Sequence, residues 1–416
     1  MQINGQRLWD SLETLGRIGR YWDEVAQLWG VNRLALTAAD GEGRRHVVER
    51  MRALGLTVTV DQIGNVYGRR AGRLDHLAPV MIGSHIDSVP TAGRFDGCLG
   101  VLAGLEVIAT LVDHGHTTAR PVVVAFFTDE EGCRFGTDML GSAVATGRLA
   151  LADAYALRDP AGLTVKDELA AIGFLGDAPV ALAPPHAYLE CHIEQGPVLE
   201  HAGMELGVVT GVQGISWQEL TLVGRSAHAG TTPMELRRDP GLVAARVHVH
   251  LREMVASGQY GQLRATMGRL EATPGLVNIV PSRVICTVDL RNPDEAALQR
   301  AEADLARFVE EAAAAEGVTV QRRQTARTPP VPFAPEVQRR VAEAATALGL
   351  RHQAIVSGAG HDAQEMARLT RAGMVFVPGL YDGISHNPRE LSTPEAIAAG
   401  GQVLFSVAMS FAEEAE

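Results

Sequence analysis

Pro79-Val80-Met81-Ile82-Gly83-Ser84-His85, the apolar run from Gly97 to His114, and Val122-Val123-Val124-Ala125-Phe126-Phe127-Thr128 together decide the fold. The first predicts a short apolar strand, Pro79 to Gly83, that runs into a loop carrying His85. The second predicts a strong helix, with Leu99, Leu102, Leu105, Val107, Ile108 and Leu111 apolar and Asp96 at its N-terminal edge. The third predicts a buried strand ending at the acidic run Asp129-Glu130-Glu131. Strand, crossover helix, strand is the signature of a doubly wound α/β sheet. Such sheets gather ligands at the carboxyl ends of their strands, where these polar residues stand.

Working outward, the first forty residues read as helical, with Trp9, Leu12, Leu15 and Ile18 on one face. Val58 to Tyr67 reads as extended. Near Gly211 the pattern changes to strand (Trp217 to Val223), helix (Asp239 to Ala256), strand (Arg264 to Ala272), strand (Val284 to Arg291), helix (Asp294 to Glu316) and strand (Val318 to Gln324). That order is the split βαβ pattern of a ferredoxin-like α+β domain. Thr328-Pro329-Pro330-Val331-Pro332 reads as a return hinge, after which α/β alternation resumes. The chain of 416 residues is long for one core. It is expected to form a doubly wound α/β domain from residues 1–210 and 330–416, with residues 211–329 inserted as the second domain.

The net charge of −12 argues against a nucleic-acid or anionic-membrane surface, which would need a basic patch. No signal peptide is visible, and the apolar windows near Val101 to Val112 and Val122 to Phe127 are too short or interrupted to span a bilayer. Cys98, Cys133, Cys191 and Cys286 lie far apart without a Cys-x-x-Cys spacing, so a disulfide framework is not expected. The expectation is a cytoplasmic protein.

Beyond His85, the chain offers Asp87, Asp96 in Arg94-Phe95-Asp96-Gly97, Glu130 and Glu131, His192 in Glu190-Cys191-His192-Ile193-Glu194-Gln195-Gly196, and His386 in Ile384-Ser385-His386-Asn387-Pro388. A carboxylate two residues past His85 can accept its second imidazole N–H and fix the metal-binding tautomer. Asp96 can bridge two ions with its two oxygens. Glu131 can serve one ion while Glu130 stays unbound, as a base that takes and returns a water proton. Taken alone, Asp129-Glu130-Glu131 reads as a solvated acidic turn, a reading that the buried strand leading into it and the other candidate ligands reverse. His228, in Ser226-Ala227-His228-Ala229-Gly230-Thr231-Thr232-Pro233, reads alone as a loop histidine, Asn278 as a turn former and Arg291 as a surface ion pair. Arg291 could instead hold a carboxylate in a two-bond fork. Ser357-Gly358-Ala359-Gly360-His361-Asp362 lacks the lysine and spacing of a P-loop. It reads as a tight loop that lets backbone groups, at Gly360 for example, approach a substrate.

These segments resemble the amidase/hydantoinase/carbamoylase branch of the dinuclear-metal aminoacylase and carboxypeptidase-G-like peptidase family, over nearly the whole chain. The motifs are GSHIDSV, GRFDG, EEGCRF, HIEQGPVLE, AHAGTTPM, PGLVNIVP, SGAGHDA and GISHNP. The resemblance implies two divalent ions per chain (zinc, or manganese, cobalt or nickel) held by His85, Asp96 (bridging), Glu131, His192 and His386. It implies Glu130 as general base and acid, with Asp87 orienting His85. It implies that Gln195, His228, Asn278 and Arg291 touch substrate, with His228 stabilising the oxyanion, and that the inserted domain is a lid that builds a homodimer. The expected reaction is hydrolysis of the ureido C–N bond of an N-carbamoyl-L-amino acid, with allantoate or N-carbamoyl-β-alanine as alternatives. A dipeptidase or aminoacylase would use the same centre. A silent binding protein on the same fold would lack a ligand or the base, and no such residue is missing.

Overall fold

The computed structural model describes residues 1–415 and divides them into two compact units. One consists of Met1–Gly211 and the chain from Phe333 on; the other is Val212–Pro332.

In the first unit, the strands Val80–His85, Val122–Phe127, Ala187–Ile193 and Ala372–Val377 are fully buried. Near-continuous apolar runs of this kind suit strands covered on both faces. They pair in parallel, in the order Ala372–Val377, Ala187–Ile193, Val80–His85, Val122–Phe127. Antiparallel strands continue the sheet: Leu206–Val212 beside Ala372–Val377, and Val66–Arg70 then Thr57–Val60 beyond Val122–Phe127. The sheet is therefore mixed. The helix Cys98–Asp113 packs on its centre, against the helices Gly5–Leu15 and Pro394–Ala412. Pro394–Ala412 is long and apolar enough to cross a membrane by length and composition, but here Ile397, Val403, Leu404 and Phe411 belong to the core.

The second unit is an antiparallel sheet with two helices, Pro240–Ala256 and Glu295–Glu316. Its order is Arg264–Thr266, Arg283–Asn292, Gly214–Val223, Thr319–Thr328, with Leu270–Thr273 also on Arg283–Asn292. This is the ferredoxin-like arrangement. Alternate residues of Gly214–Val223 and Arg283–Asn292 are buried, so one face of the sheet carries the core with both helices.

Three local expectations need correction. The N-terminal helix ends at Leu15, and Arg20–Asp23 pairs with Leu28–Val31 as a hairpin. The Asp23 carboxylate accepts from the N–H groups of Val25 and Ala26, which starts the turn, and Trp22 packs edge-on against Trp29 across the strands. Val58 to Tyr67 is two paired strands, because Asp61 accepts from the N–H groups of Ile63 and Asn65 and reverses the chain. The expected strand Arg264 to Ala272 is broken into Arg264–Thr266 and Leu270–Thr273.

Candidate metal centre

The parallel strands deliver their polar ends to one edge. His85 is the last residue of its strand and sits opposite Phe127, directly beside the turn Thr128 to Glu131. His192 sits opposite Phe376 near the end of its own strand. The loops carrying Asp96 and His386 complete the cluster. Asp96 and His386 are 3.5 Å apart (Oδ2 to Nε2), and Glu131 Oε2 lies 3.2 Å from His386 Nε2. On its other side, Asp96 Oδ1 lies 3.5 Å from His85 Nε2 and 3.2 Å from His192 Nε2. The two oxygens of Asp96 thus face two ligand groups, His85–Asp96–His192 and Asp96–Glu131–His386.

The backbone is bent to achieve this. Gly97 has φ +65° and ψ −46°, and the N–H of Cys98 donates to the Asp96 carbonyl at 2.6 Å, a positive-φ γ-turn. Asp129, Gln195 and His386 also have positive φ, at 53°, 57° and 54°. Non-glycine residues are uncommon there and concentrate at functional sites.

Hydrogen bonds orient the imidazoles. Nδ1 of His85 lies 3.0 Å from the Asp87 carbonyl and Nδ1 of His192 lies 2.9 Å from the Ile193 carbonyl, which turns Nε2 of each toward Asp96; Nε2 of His192 also meets the Gly97 N–H at 3.0 Å. The expected role of the Asp87 carboxylate is therefore corrected: its main-chain oxygen meets His85, with the carboxylate 3.8 Å away. That carboxylate instead accepts from the N–H groups of Glu130 and Glu131, both at 3.3 Å, and holds the acidic turn in place. Gln195 Nε2 donates to Asp96 Oδ2 at 2.8 Å. Glu130 Oε2 is 3.5 Å from His85 Nε2 and lies in neither ligand group.

The electrostatics match a cation site. Burial alone would lift the Asp96 carboxyl, but hydrogen bonds from His192, His386 and His85 hold it well below its ordinary range. Burial disfavours a charged His85, yet the carboxylates of Glu130 and Asp96 outweigh that and hold it well above its ordinary value. Asp96 and Glu131 raise His386 to about 10. Burial pushes Glu130 well above the usual carboxyl range against the opposing charge of His85. Nitrogen and carboxylate donors of this kind suit zinc, manganese, cobalt or nickel. Glu131 Oε1 is buried with no hydrogen-bond partner among the described residues, so a cation would satisfy it. The residues fit divalent ions.

Glu190, His192 and His361 also converge. Glu190 is already committed, accepting from Ser84 Oγ, Tyr188 Oη and the Ala363 N–H, and His361 Nε2 is bonded to Ser357 Oγ. This group backs His192, whose ring meets His361 at 4.6 Å between centroids. Gly360 lies in the same loop, one residue before His361. Glu194 caps the helix Val198–Ala202 through the N–H groups of Val198 and Leu199, which accounts for much of the HIEQGPVLE motif.

Several supporting residues carry no local sequence signal. Arg33 is buried and donates to the carbonyls of Ile86, Leu15 and Ile18, pinning the loop behind His85. Arg44 is fully buried with Asp40 and donates to Gly64 O and Thr128 Oγ1, anchoring the end of the strand before the acidic turn. Ser385 and Glu390 hold the Asp96 loop.

His228, Asn278 and Arg291 lie in the second unit. His228 is exposed, and its Nδ1 accepts from the N–H groups of Gly230 and Thr231, so Nε2 carries the proton and can donate. Asn278 neighbours it: the Ala229 N–H donates to the Asn278 carbonyl, and His228 pairs with Ile279. The Arg291 guanidinium forks onto Asp289, with Nε and Nη2 within 3.1 Å of its oxygens.

Residues 81–410 match the model of peptidase family M20/M25/M40. The chain is 42% identical to an N-carbamoyl-L-amino-acid amidohydrolase of Rhizobium meliloti, covering 100% of this chain and 98% of that protein. It is 32% identical to an allantoate amidohydrolase of Bacillus subtilis, covering 95% of each. Among solved structures, an amidase of the hydantoinase/carbamoylase family from Burkholderia multivorans superposes with a TM-score of 0.95 at 45% identity, over 99% of both chains.

Proposed function

From the premise that the chain belongs to peptidase family M20/M25/M40, we infer that it hydrolyses the ureido C–N bond of an N-carbamoyl-L-amino acid, releasing the amino acid, carbon dioxide and ammonia. It is an amidohydrolase of linear C–N bonds other than peptide bonds. The observation that carries the hydrolase reading is a pair of candidate ligand groups sharing Asp96, with Glu130 buried beside them and in neither, and the substrate reading rests on the likeness to N-carbamoyl-L-amino-acid amidohydrolases over the whole chain. Allantoate is the second reading, favoured by the Bacillus subtilis relative.

His85, Asp96 and His192 would hold one divalent ion, and Asp96, Glu131 and His386 would hold another. The ions when bound would polarise the carbamoyl oxygen and make water acidic enough to lose a proton near neutral pH. Glu130 takes that proton and returns it to the departing nitrogen. Asp87 keeps Glu130 and Glu131 in place through their N–H groups. Gln195 fixes Asp96 and reaches substrate, and the main chain at Gly360 lines its approach. His228 donates Nε2–H to the developing oxyanion. Asn278 and Arg291 take the substrate carboxylate, Arg291 exchanging Asp289 for it.

The working form is a cytoplasmic homodimer in which His228 comes from the second copy. Leu242 and Val249, exposed on the helix Pro240–Ala256, support an apolar docking face on the inserted unit, and the four free cysteines suit a reducing compartment. The test is turnover by the metal-loaded protein on N-carbamoyl-L-amino acids, allantoate, N-carbamoyl-β-alanine and dipeptides. The first class should be the best substrate. A preference for dipeptides would overturn the reading.

A further inference from the structure

Asp96 can face two ligand groups only if its loop stays in register with the turn that carries His386, and the two are far apart in sequence. Glu390 stands between them, 5% exposed. Its Oε1 accepts from the N–H of Phe95 at 2.9 Å and of Asp96 at 3.2 Å. Its Oε2 is 2.9 Å from Ser385 Oγ, which is itself 2.8 Å from Asp96 Oδ2. One side chain therefore grips the main chain of Asp96 and, through Ser385, the residue next to His386. The neighbouring loop makes room for it: a Cβ on Gly93 would fall 2.4 Å from Glu390 Cβ and 2.5 Å from its Oε1. Side chains cannot approach so closely, so this position tolerates only glycine while Glu390 stays where it is.

We propose that Glu390 is a positioning residue that locks the Asp96 loop to the Ser385–His386 turn and thereby sets the cation affinity of the Asp96–Glu131–His386 group. The inference rests on the reading that this centre holds divalent ions. Reach matters here more than charge. Glutamine has the same length: its oxygen can accept from both N–H groups while its amide donates to Ser385 Oγ, leaving the serine proton for Asp96. Aspartate keeps the charge but is one methylene too short to span both loops.

The experiment uses full-length wild type, Glu390→Gln, Glu390→Asp, Glu390→Ala and Gly93→Ala, each loaded with Mn²⁺. Bound metal is measured against graded chelator, and urea unfolding of the metal-free proteins is followed in parallel. Outer partners of metal ligands typically change affinity by about 10–100-fold. Glu390→Asp and Glu390→Ala should lose one ion about that much more readily, with Gly93→Ala moving the same way, while Glu390→Gln stays near wild type. Glu390→Asp retaining both ions while Glu390→Gln loses one would mean that Glu390 acts through charge, and would overturn the proposal. So would wild-type retention in all four variants. If Glu390→Ala does not fold, the Gln-against-Asp order still decides. Wild type that binds no divalent ion overturns the metal reading itself and this inference with it, whereas a failure confined to the variants leaves the metal reading standing.

Discussion

Gly97→Ala is the sharpest single perturbation of this centre. A Cβ at Gly97 would lie 2.3 Å from Nε2, 2.4 Å from Cε1 and 2.5 Å from Cδ2 of His85. His85 cannot simply swing aside, because its ring is buried and Nδ1 is held by the Asp87 carbonyl. The backbone also resists, since φ +65° with ψ −46° is a conformation that L-residues rarely adopt. That conformation costs about 1–3 kcal/mol, and forcing an extra methyl into a packed site costs about 1–3 kcal/mol more. The sum is about 2–6 kcal/mol, against a total stability of about 5–15 kcal/mol for a typical domain. Relief would come from displacing His85 or opening the γ-turn, and either separates His85 from Asp96. The assay is urea unfolding of metal-free wild type and variant, together with bound metal by elemental analysis. The variant should be destabilised by at least about 2 kcal/mol and should lose the ion shared by His85, Asp96 and His192. Stability within about 0.5 kcal/mol of wild type, the range of an unremarkable surface change, together with full metal content would refute the reasoning.

Other changes separate chemistry from scaffold. Glu130→Gln should keep its metal and lose at least about 10²-fold in turnover, read from steady-state rates; normal turnover would place the base elsewhere. Arg44→Ala strands the buried Asp40 carboxylate and should cost about 3–5 kcal/mol in denaturant unfolding, and an effect under about 1 kcal/mol would show that the pair does not anchor the strand. Mixing Glu130→Gln with His228→Ala chains should restore activity in heterodimers. Its absence in verified heterodimers would mean that each site is complete within one chain.

The residues that converge in the two candidate ligand groups were legible because each is a polar residue closing an apolar run, or lies within a tight loop beside small residues, as His85 after Val80–Gly83 and Glu131 after Val122–Phe127. The split βαβ order was legible because the inserted unit alternates cleanly between buried and exposed positions. The hairpin Arg20–Val31 was not: the spacing of Trp9, Leu12, Leu15 and Ile18 continues the helical period past Leu15, whereas the helix stops at Gly16, Gly19 turns the chain at φ +79°, and the Asp23 turn closes the hairpin. Arg33, Arg44 and Glu390 were invisible for a different reason. Apart from the i,i+4 pair of Arg44 with Asp40, they act on groups that folding brings to them from distant segments, so no local spacing announces them. Asp87 shows the same limit. Its proximity to His85 was readable, but not that its carboxylate turns to the N–H groups of Glu130 and Glu131 while its carbonyl takes the imidazole.

Asp96 serving two ions at once is the central proposal. Crystals of the protein grown with Mn²⁺ and measured at a wavelength where manganese scatters anomalously test this directly. Two anomalous peaks per chain are predicted, about 3.5–4 Å apart, on either side of the Asp96 carboxylate, one beside His85 and His192 and the other beside Glu131 and His386. A single peak, or peaks that do not share Asp96, at saturating metal would contradict it.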